Sequence, residues 1–222
     1  MSLLKLVEEV LVDKCIIIGG GTFKKVACHL ALATPAFGGT ARRLKEIMDE
    51  LYTPGLENHL VLTKMADSRS ALVTNEDLDN YIYSISLDKT VKAVIMNAAL
   101  CDFSMENPTQ LSRLSSQQDY KVKLMGIKSK IVSELKKRRP DIFVVGFKTT
   151  HGDSVVQQCA KGFNLMYEGG VDVVLANDVG SYNNLLLTPD LKIHIGGRDE
   201  LLYKLAGAVV DNIKEVQCSR YV

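Results

Sequence analysis

The feature that most constrains the fold is a series of short, almost wholly apolar runs separated by helix-length amphipathic stretches. The runs are Cys15-Ile-Ile-Ile18, His59–Thr63, Ala93-Val-Ile-Met96, Ile142–Phe147 and Val171–Ala176. Each is too short for a buried helix, and each ends in turn formers or polar residues. A strand that is apolar on both faces needs cover on both sides, which is the condition of a parallel sheet between helices. Between the runs, Gly39–Leu51 sets Leu44, Ile47, Met48 and Leu51 on one helical face. Ile127–Arg139 repeats that spacing with Ile127, Ile131, Val132 and Leu135 and stops before Pro140, which cannot continue a helix. Asp153–Glu168 and Arg198–Val216 predict two more helices, and Tyr81–Ile85 reads as a weaker strand. Asn184–Thr188 and Leu191–Ile195, joined by Pro189-Asp190, predict a hairpin before the last helix. The alternation predicts an α/β, doubly wound, mainly parallel sheet with a carboxyl-terminal β-hairpin and helix.

The chain has 222 residues, which we take as one domain over 1–222. A formal net charge of +1 excludes a strongly basic footprint, so no nucleic-acid partner is expected. No apolar stretch is long enough to span a membrane. The start, Met1–Glu9, carries charge inside its apolar run and does not read as a signal peptide. Five cysteines without a Cys-x-x-Cys pair argue against a disulfide framework or a zinc site; they predict free thiols in a reducing compartment, the cytoplasm.

Four segments at strand ends carry candidate chemistry. Gly19-Gly20-Gly21-Thr22 follows the first strand, where backbone N–H groups could approach an anion and Thr22 could add a hydroxyl donor. It is not the dinucleotide fingerprint, which needs glycine where Lys24 stands, and no Gly-Lys pair exists for a P-loop. Asn97-Ala98-Ala99-Leu-Cys101-Asp102-Phe103 follows the third strand; its small residues would admit a flat ligand, and Asp102 would accept from a base or sugar or hold a metal. Gly146, Phe147 and Lys148 end the next strand, with an aromatic that could stack and a cation that could meet phosphate. Ala176-Asn177-Asp178-Val179 ends the last parallel strand, where Asn177 and Asp178 either bind a ligand or shape the turn. Two long stretches, Thr22–Gly38 and Cys101–Tyr120, fit no regular element, and both begin at a strand's carboxyl end, where open α/β sheets bind ligands. The cationic run Lys136–Arg139 reads as a solvated helix end complementing the macrodipole.

Taken in order, Gly-Gly-Thr, Ala-Ala-x-x-Asp-Phe, Val-Gly-Phe and Ala-Asn-Asp-Val, with a Lys-Val-Lys-Leu strand at 121–124, make the chain resemble phosphopantothenoylcysteine synthetase from about Lys14 to Glu215. The resemblance implies a Rossmann-like fold and a ligase in coenzyme A biosynthesis. CTP or ATP, with Mg2+, would activate the carboxylate of phosphopantothenate as an acyl-nucleotide, and the amine of cysteine would then displace the nucleotide. It implies a nucleotide site made by Gly20, Gly21, Thr22, Gly38, Ala98, Ala99, Asp102, Phe103, Gly146, Phe147, Lys148, Asn177 and Asp178. Thr34 stands where the family has an asparagine at the acyl-nucleotide, Leu30 where it has an arginine, and Leu111-Ser-Arg113-Leu114 where it has a lysine-rich loop. Thr34 and Arg113 are therefore the catalytic candidates, and a homodimer is the expected assembly. Two alternatives are a nucleotide-binding paralogue without ligase activity and an NAD(P) oxidoreductase; the missing glycine at Lys24 and the absence of an acidic residue after Thr63-Lys64 speak against the latter.

Overall fold

The structure is a computed structural model that describes residues 12–105, 113–127 and 131–219. The readings made for Met1–Glu9, for Leu111 and for residues 128–130 of the predicted third helix lie outside the described residues.

The first strand, β1 (Asp13–Gly21), lies one strand in from an edge of the main sheet and is buried along almost its whole length. The stretch after it is not irregular, as the sequence suggested. Phe23–Ala27 (β2) and Leu30–Ala33 (β3) fold back on each other as an antiparallel hairpin around Cys28-His29. Such two-residue connections are the usual hairpin solution. Helix α1 (Gly39–Glu50) leads into β4 (Leu56–Leu62) and α2 (Asn75–Leu87). The strand predicted at Tyr81–Ile85 is part of α2. Its alternating Tyr and Ile residues mimic a period of two, yet the buried set Leu78, Ile82 and Ile85 has helical spacing. The start signal was present: Thr74 and Asp77 form a capping box.

Strand β5 (Val91–Ala99) is followed by β6 (Phe103–Met105) and β7 (Leu124–Gly126), a second small antiparallel pair. The strand expected at 121–124 thus begins only at Leu124, because β7 is defined by register with β6, Phe103 opposite Gly126. Helix α3 (Ile131–Arg138), β8 (Phe143–Thr150), α4 (Val155–Gly169) and β9 (Val173–Asp178) follow. The predicted carboxyl-terminal hairpin is β10 (Asn184–Leu187) and β11 (Ile193–Ile195), before α5 (Arg198–Cys218).

Seven strands form one sheet in the order β11-β10-β9-β8-β5-β1-β4. The five from β4 to β9 are parallel, and β10 and β11 extend the sheet antiparallel. Alternate residues of each strand go to opposite layers. Cys15, Ile17, Ala93 and Ile95 pack under α1 and α5, while Ile16, Ile18, Val94 and Met96 pack under α2 and α3. This two-sided burial is what the continuous apolar runs required.

The cationic run is a correction to the solvated reading. Lys136 pairs with Asp172 at 2.8 Å, Arg138 stacks over Tyr83, and Arg139 is 1% exposed. The Arg139 guanidinium donates to Asp141 and to the backbone carbonyls of Asp88 and Val91, so it ties the end of α3 to the entry of β5. Arg139→Ala leaves those carbonyls without partners. It is expected to cost about 2 kcal/mol in urea unfolding, with the slope unchanged.

Candidate functional site

The parallel strands, taken in chain order, lie 2-1-3-4-5: β4, β1, β5, β8, β9. The chain leaves β1 toward one edge of the sheet and returns to its other side at β5. Loops from the carboxyl ends of β1 and β5 therefore diverge, and a crevice opens where they part. Register puts the predicted residues there together: Gly20 pairs with Ala98 and Gly21 with Ala99.

The strand end is held by a compact hydrogen-bond set. Thr22 Oγ1 donates to Asn75 Oδ1 at 2.6 Å, and the Asn75 amide donates to the carbonyl of Cys101 at 2.9 Å. The N–H of Cys101 donates back to Thr22 Oγ1 at 2.8 Å. Thr34 Oγ1 donates to the carbonyl of Leu100 at 3.2 Å. Thr22 and Thr34 thus anchor the exit of β5 from one side.

Two expectations need correcting here. Thr22 is fully buried, and its N–H donates to Ala99, so it offers nothing to a ligand. The glycines do not leave an open cradle either. A Cβ on Gly20 would come within 2.2 Å of Thr63 Oγ1, and one on Gly21 within 2.0 Å of the Thr34 carbonyl oxygen. The N–H of Gly21 already donates to Ala36, and its carbonyl accepts from Thr63 Oγ1 at 2.7 Å. Close approach of protein to protein is what demands glycine at both positions.

Gly38 precedes α1 with φ +75°, a left-handed conformation that favours glycine, and no side chain caps the helix. Arg42 steadies this end by donating to the carbonyls of Phe37 at 2.7 Å and Ala66 at 2.8 Å. On the far side of β5, Met96 pairs with Gly146, so Phe147 and Lys148 continue alongside Asn97 and Ala98. Gly146 is buried, and a Cβ there would press on Val171 and Leu165, so it serves packing against α4. Phe147 is half-buried, and the half-buried Lys148 has no ion-pair partner among the described residues.

Asp178 takes the turn-shaping role of the two open to it, not the nucleotide-binding one that the resemblance implied. It is 2% exposed, and its oxygens accept from the N–H groups of Gly152, Asp153, Gly180 and Ser181 and from the hydroxyls of Thr150 and Ser181. Burial alone would raise its pKa. The Ser181 N–H, the Thr150 hydroxyl and the Asp153 and Gly152 N–H groups outweigh that and hold it well below the usual carboxylate range. Asp178 therefore ties the loop after β8 to the loop after β9. Asn177 stays half-exposed and accepts from Thr149 Oγ1 at 3.3 Å.

Asp102 and Phe103 are exposed beyond β5, and the Asp102 carboxylate takes no hydrogen bond among the described residues. Arg113 is exposed as well and makes no hydrogen bond or ion pair with the other candidates among the described residues. The structure adds three residues that sequence reasoning missed. Asn75 sits in the first turn of α2, and only the capping box before it was readable. Tyr182 is 83% exposed at φ +61° in the loop that Asp178 organises. Arg198, the first residue of α5, reaches Thr40 Oγ1 at 3.1 Å and Asn184 Oδ1 at 3.3 Å. Together the crevice offers an acid, cations and aromatic surface around small residues, a set suited to a phosphorylated ligand carrying a flat ring.

Comparison with known proteins gives a consistent picture. A model of the DNA/pantothenate metabolism flavoprotein C-terminal domain matches residues 61–207. The coenzyme A biosynthesis bifunctional protein CoaBC of Thermococcus kodakarensis is 24% identical over 185 residues, 81% of this chain. The chain spans about half of that relative, 45% of its length. Among solved structures, the DNA/pantothenate metabolism flavoprotein from Streptococcus pneumoniae superimposes with a TM-score of 0.74 at 15% identity, covering 92% of this chain and 99% of that one. The C-terminal domain of CoaBC gives 0.69 at 14% identity, covering 91% and 96%. A Cab2 mutant in complex with phosphopantothenate-cysteine gives 0.66 at 12%, covering 94% and 89%.

Proposed function

The chain belongs to the family of DNA/pantothenate metabolism flavoprotein C-terminal domains, and from that premise we propose that it is an acid–amino-acid ligase joining phosphopantothenate to cysteine. The observation that carries the reading is the pairing of Gly20–Gly21 with Ala98–Ala99 at the switch point of the sheet, in a fold shared with a protein solved with phosphopantothenate-cysteine. A substrate carboxylate oxygen would attack the α-phosphorus of CTP or ATP, and the α–β P–O bond would break with release of pyrophosphate. The cysteine amine would then attack the acyl carbon, lose a proton and expel the nucleoside monophosphate, leaving an amide.

In this reading Ala98, Ala99, Phe103, Phe147 and Asn177 line the nucleotide, and Lys148 and the Gly38 end of α1 face its phosphates. Gly20, Gly21, Thr22, Gly146 and Asp178 act as scaffold. Among the described residues no group of three acidic, histidine or cysteine side chains could hold a metal. A lone carboxylate such as Asp102 still fits Mg2+, which binds through one or two carboxylates and substrate phosphates. Bound there, Mg2+ would neutralise the departing pyrophosphate. Thr34 and Arg113 would attend the acyl centre. The test is pyrophosphate release with CTP or ATP, Mg2+, phosphopantothenate and cysteine. Turnover is expected to fall at least about 100-fold in Asp102→Ala; release no greater than in that variant would sink the ligase reading.

One observation favours the paralogue without ligase activity. Thr34 spends its hydroxyl on Leu100, and Leu30 carries no charge. Binding of CTP or ATP with no amide product would select it.

The homodimer belongs to the same proposal. Phe103 and Leu124 share one face of the β6–β7 pair and are 50% and 49% exposed, apolar area that a second copy could cover. Leu124→Lys is expected to turn a dimer into a monomer in light scattering; a monomeric parent protein would contradict the assembly.

A further inference from the structure

Arg198 is a half-buried guanidinium with no counter-charge among the described residues. Its two bonds go to neutral oxygens, Thr40 Oγ1 in the first turn of α1 and Asn184 Oδ1 at the start of β10. The Asn184 amide is oriented for this, since its Nδ2 donates to the carbonyl of Tyr182 at 3.1 Å. Acids close in sequence are engaged elsewhere: Asp199 with Arg43 at 2.8 Å and Glu200 with Lys204 at 2.7 Å. Burial, with no carboxylate to offset it, lowers the Arg198 pKa. Its place in the fold adds to the anomaly, because the first turn of a helix disfavours a cation. A guanidinium has five N–H donors and these bonds use two.

The position answers the anomaly. Thr40 lies two residues beyond Gly38, at the α1 end of the crevice. Asn184 pairs in register with Asn177, at the β9 end. The guanidinium thus spans the two ends of the switch-point crevice with donors to spare and no anion among the described residues.

We propose that Arg198 binds the phosphate chain of the nucleoside triphosphate substrate, bridging the α1 and β9 ends of the crevice; the assignment rests on the ligase reading above. As a binding residue, it acts on the triphosphate and on the pyrophosphate that leaves, and much less on the base or sugar.

The experiment is calorimetric titration of the parent protein, Arg198→Ala and Arg198→Lys with CTP, ATP, CMP, AMP and inorganic pyrophosphate, each with Mg2+, together with melting curves without ligand. In Arg198→Ala, affinity for the triphosphates and for pyrophosphate is expected to fall about 10- to 100-fold, with monophosphate affinity changed by less than about threefold. Arg198→Lys should recover part of the loss. The unliganded melting midpoint of Arg198→Ala should not fall, because a charge without a partner has been removed. Unchanged triphosphate affinity, or a lowered midpoint accompanied by an equal loss for monophosphates, would show a structural bolt and overturn the assignment. So would a parent protein that binds neither triphosphates nor pyrophosphate. A parent protein that binds pyrophosphate through Arg198 yet forms no amide product would instead defeat the ligase reading and leave the assignment standing.

Discussion

Replacing Asp178 with alanine is expected to lower the melting midpoint by about 10 °C at neutral pH, among the largest effects of any single change in this chain. The carboxylate satisfies four backbone N–H groups and two hydroxyls from two loops, in a place that is 2% exposed. Alanine strands all of them at once. The pH dependence follows from the depressed folded pKa. An ordinary unfolded aspartate titrates near 4, so the stabilisation is complete above that pH and fades as pH falls toward the folded value. The gap in midpoint between the parent protein and Asp178→Ala should therefore stay constant from about pH 5 to 7 and narrow below about pH 4. A gap that grew on acidification would show that the carboxylate is not what holds the loops. Asp178→Asn should not rescue, because its NH2 would face N–H donors.

Gly21→Ala is the second change expected to act strongly. The new methyl would sit 2.0 Å from the Thr34 carbonyl oxygen and 2.9 Å from the Ala36 nitrogen, both backbone atoms. Backbone cannot swing aside as a flexible side chain can, so the 34–36 segment must move and its bonds to Gly21 and Leu100 must break. Overpacking of this kind costs about 3 kcal/mol. Gly39→Ala is the matched control. Nothing lies within 4 Å of a Cβ there, and alanine suits a helix, so stability should be unchanged or rise by about 0.5 kcal/mol. Chemical unfolding of the two variants side by side separates a general intolerance of substitution from the specific contact at Gly21. Gly21→Ala should also weaken nucleotide binding, since the displaced segment carries Thr34.

The fold was largely legible because its signals are local. Ile16–Ile18 and Val94–Met96 are apolar on both faces, and only a sheet covered twice can bury them. Helices α1, α4 and α5 announced themselves by their apolar spacing. The same locality explains the errors. Residues 81–85 alternate in a period of two by chance, and only the longer stretch from Thr74 to Ile85 reveals the helix. The β2–β3 pair is short and half-exposed, so its composition carries little pattern.

At the proposed site, the sequence by itself determined which residue types stand at the strand ends: small residues at 19–21 and 98–99, an acid at 102, an aromatic and a cation at 147–148. Those types follow one another along the chain and can be read there. What each side chain is free to do was decided only by tertiary structure. Thr22 and Asp178 looked like ligand groups, yet residues 53 positions away in one case and 25 to 28 in the other consume their hydrogen bonds. Arg198 looked like an ordinary helix start, yet it meets Thr40 from 158 positions away and finds no acid among the described residues. A residue's type sets the bonds it can make, but whether they are spent or spare depends on partners that only the folded chain brings within 3 Å.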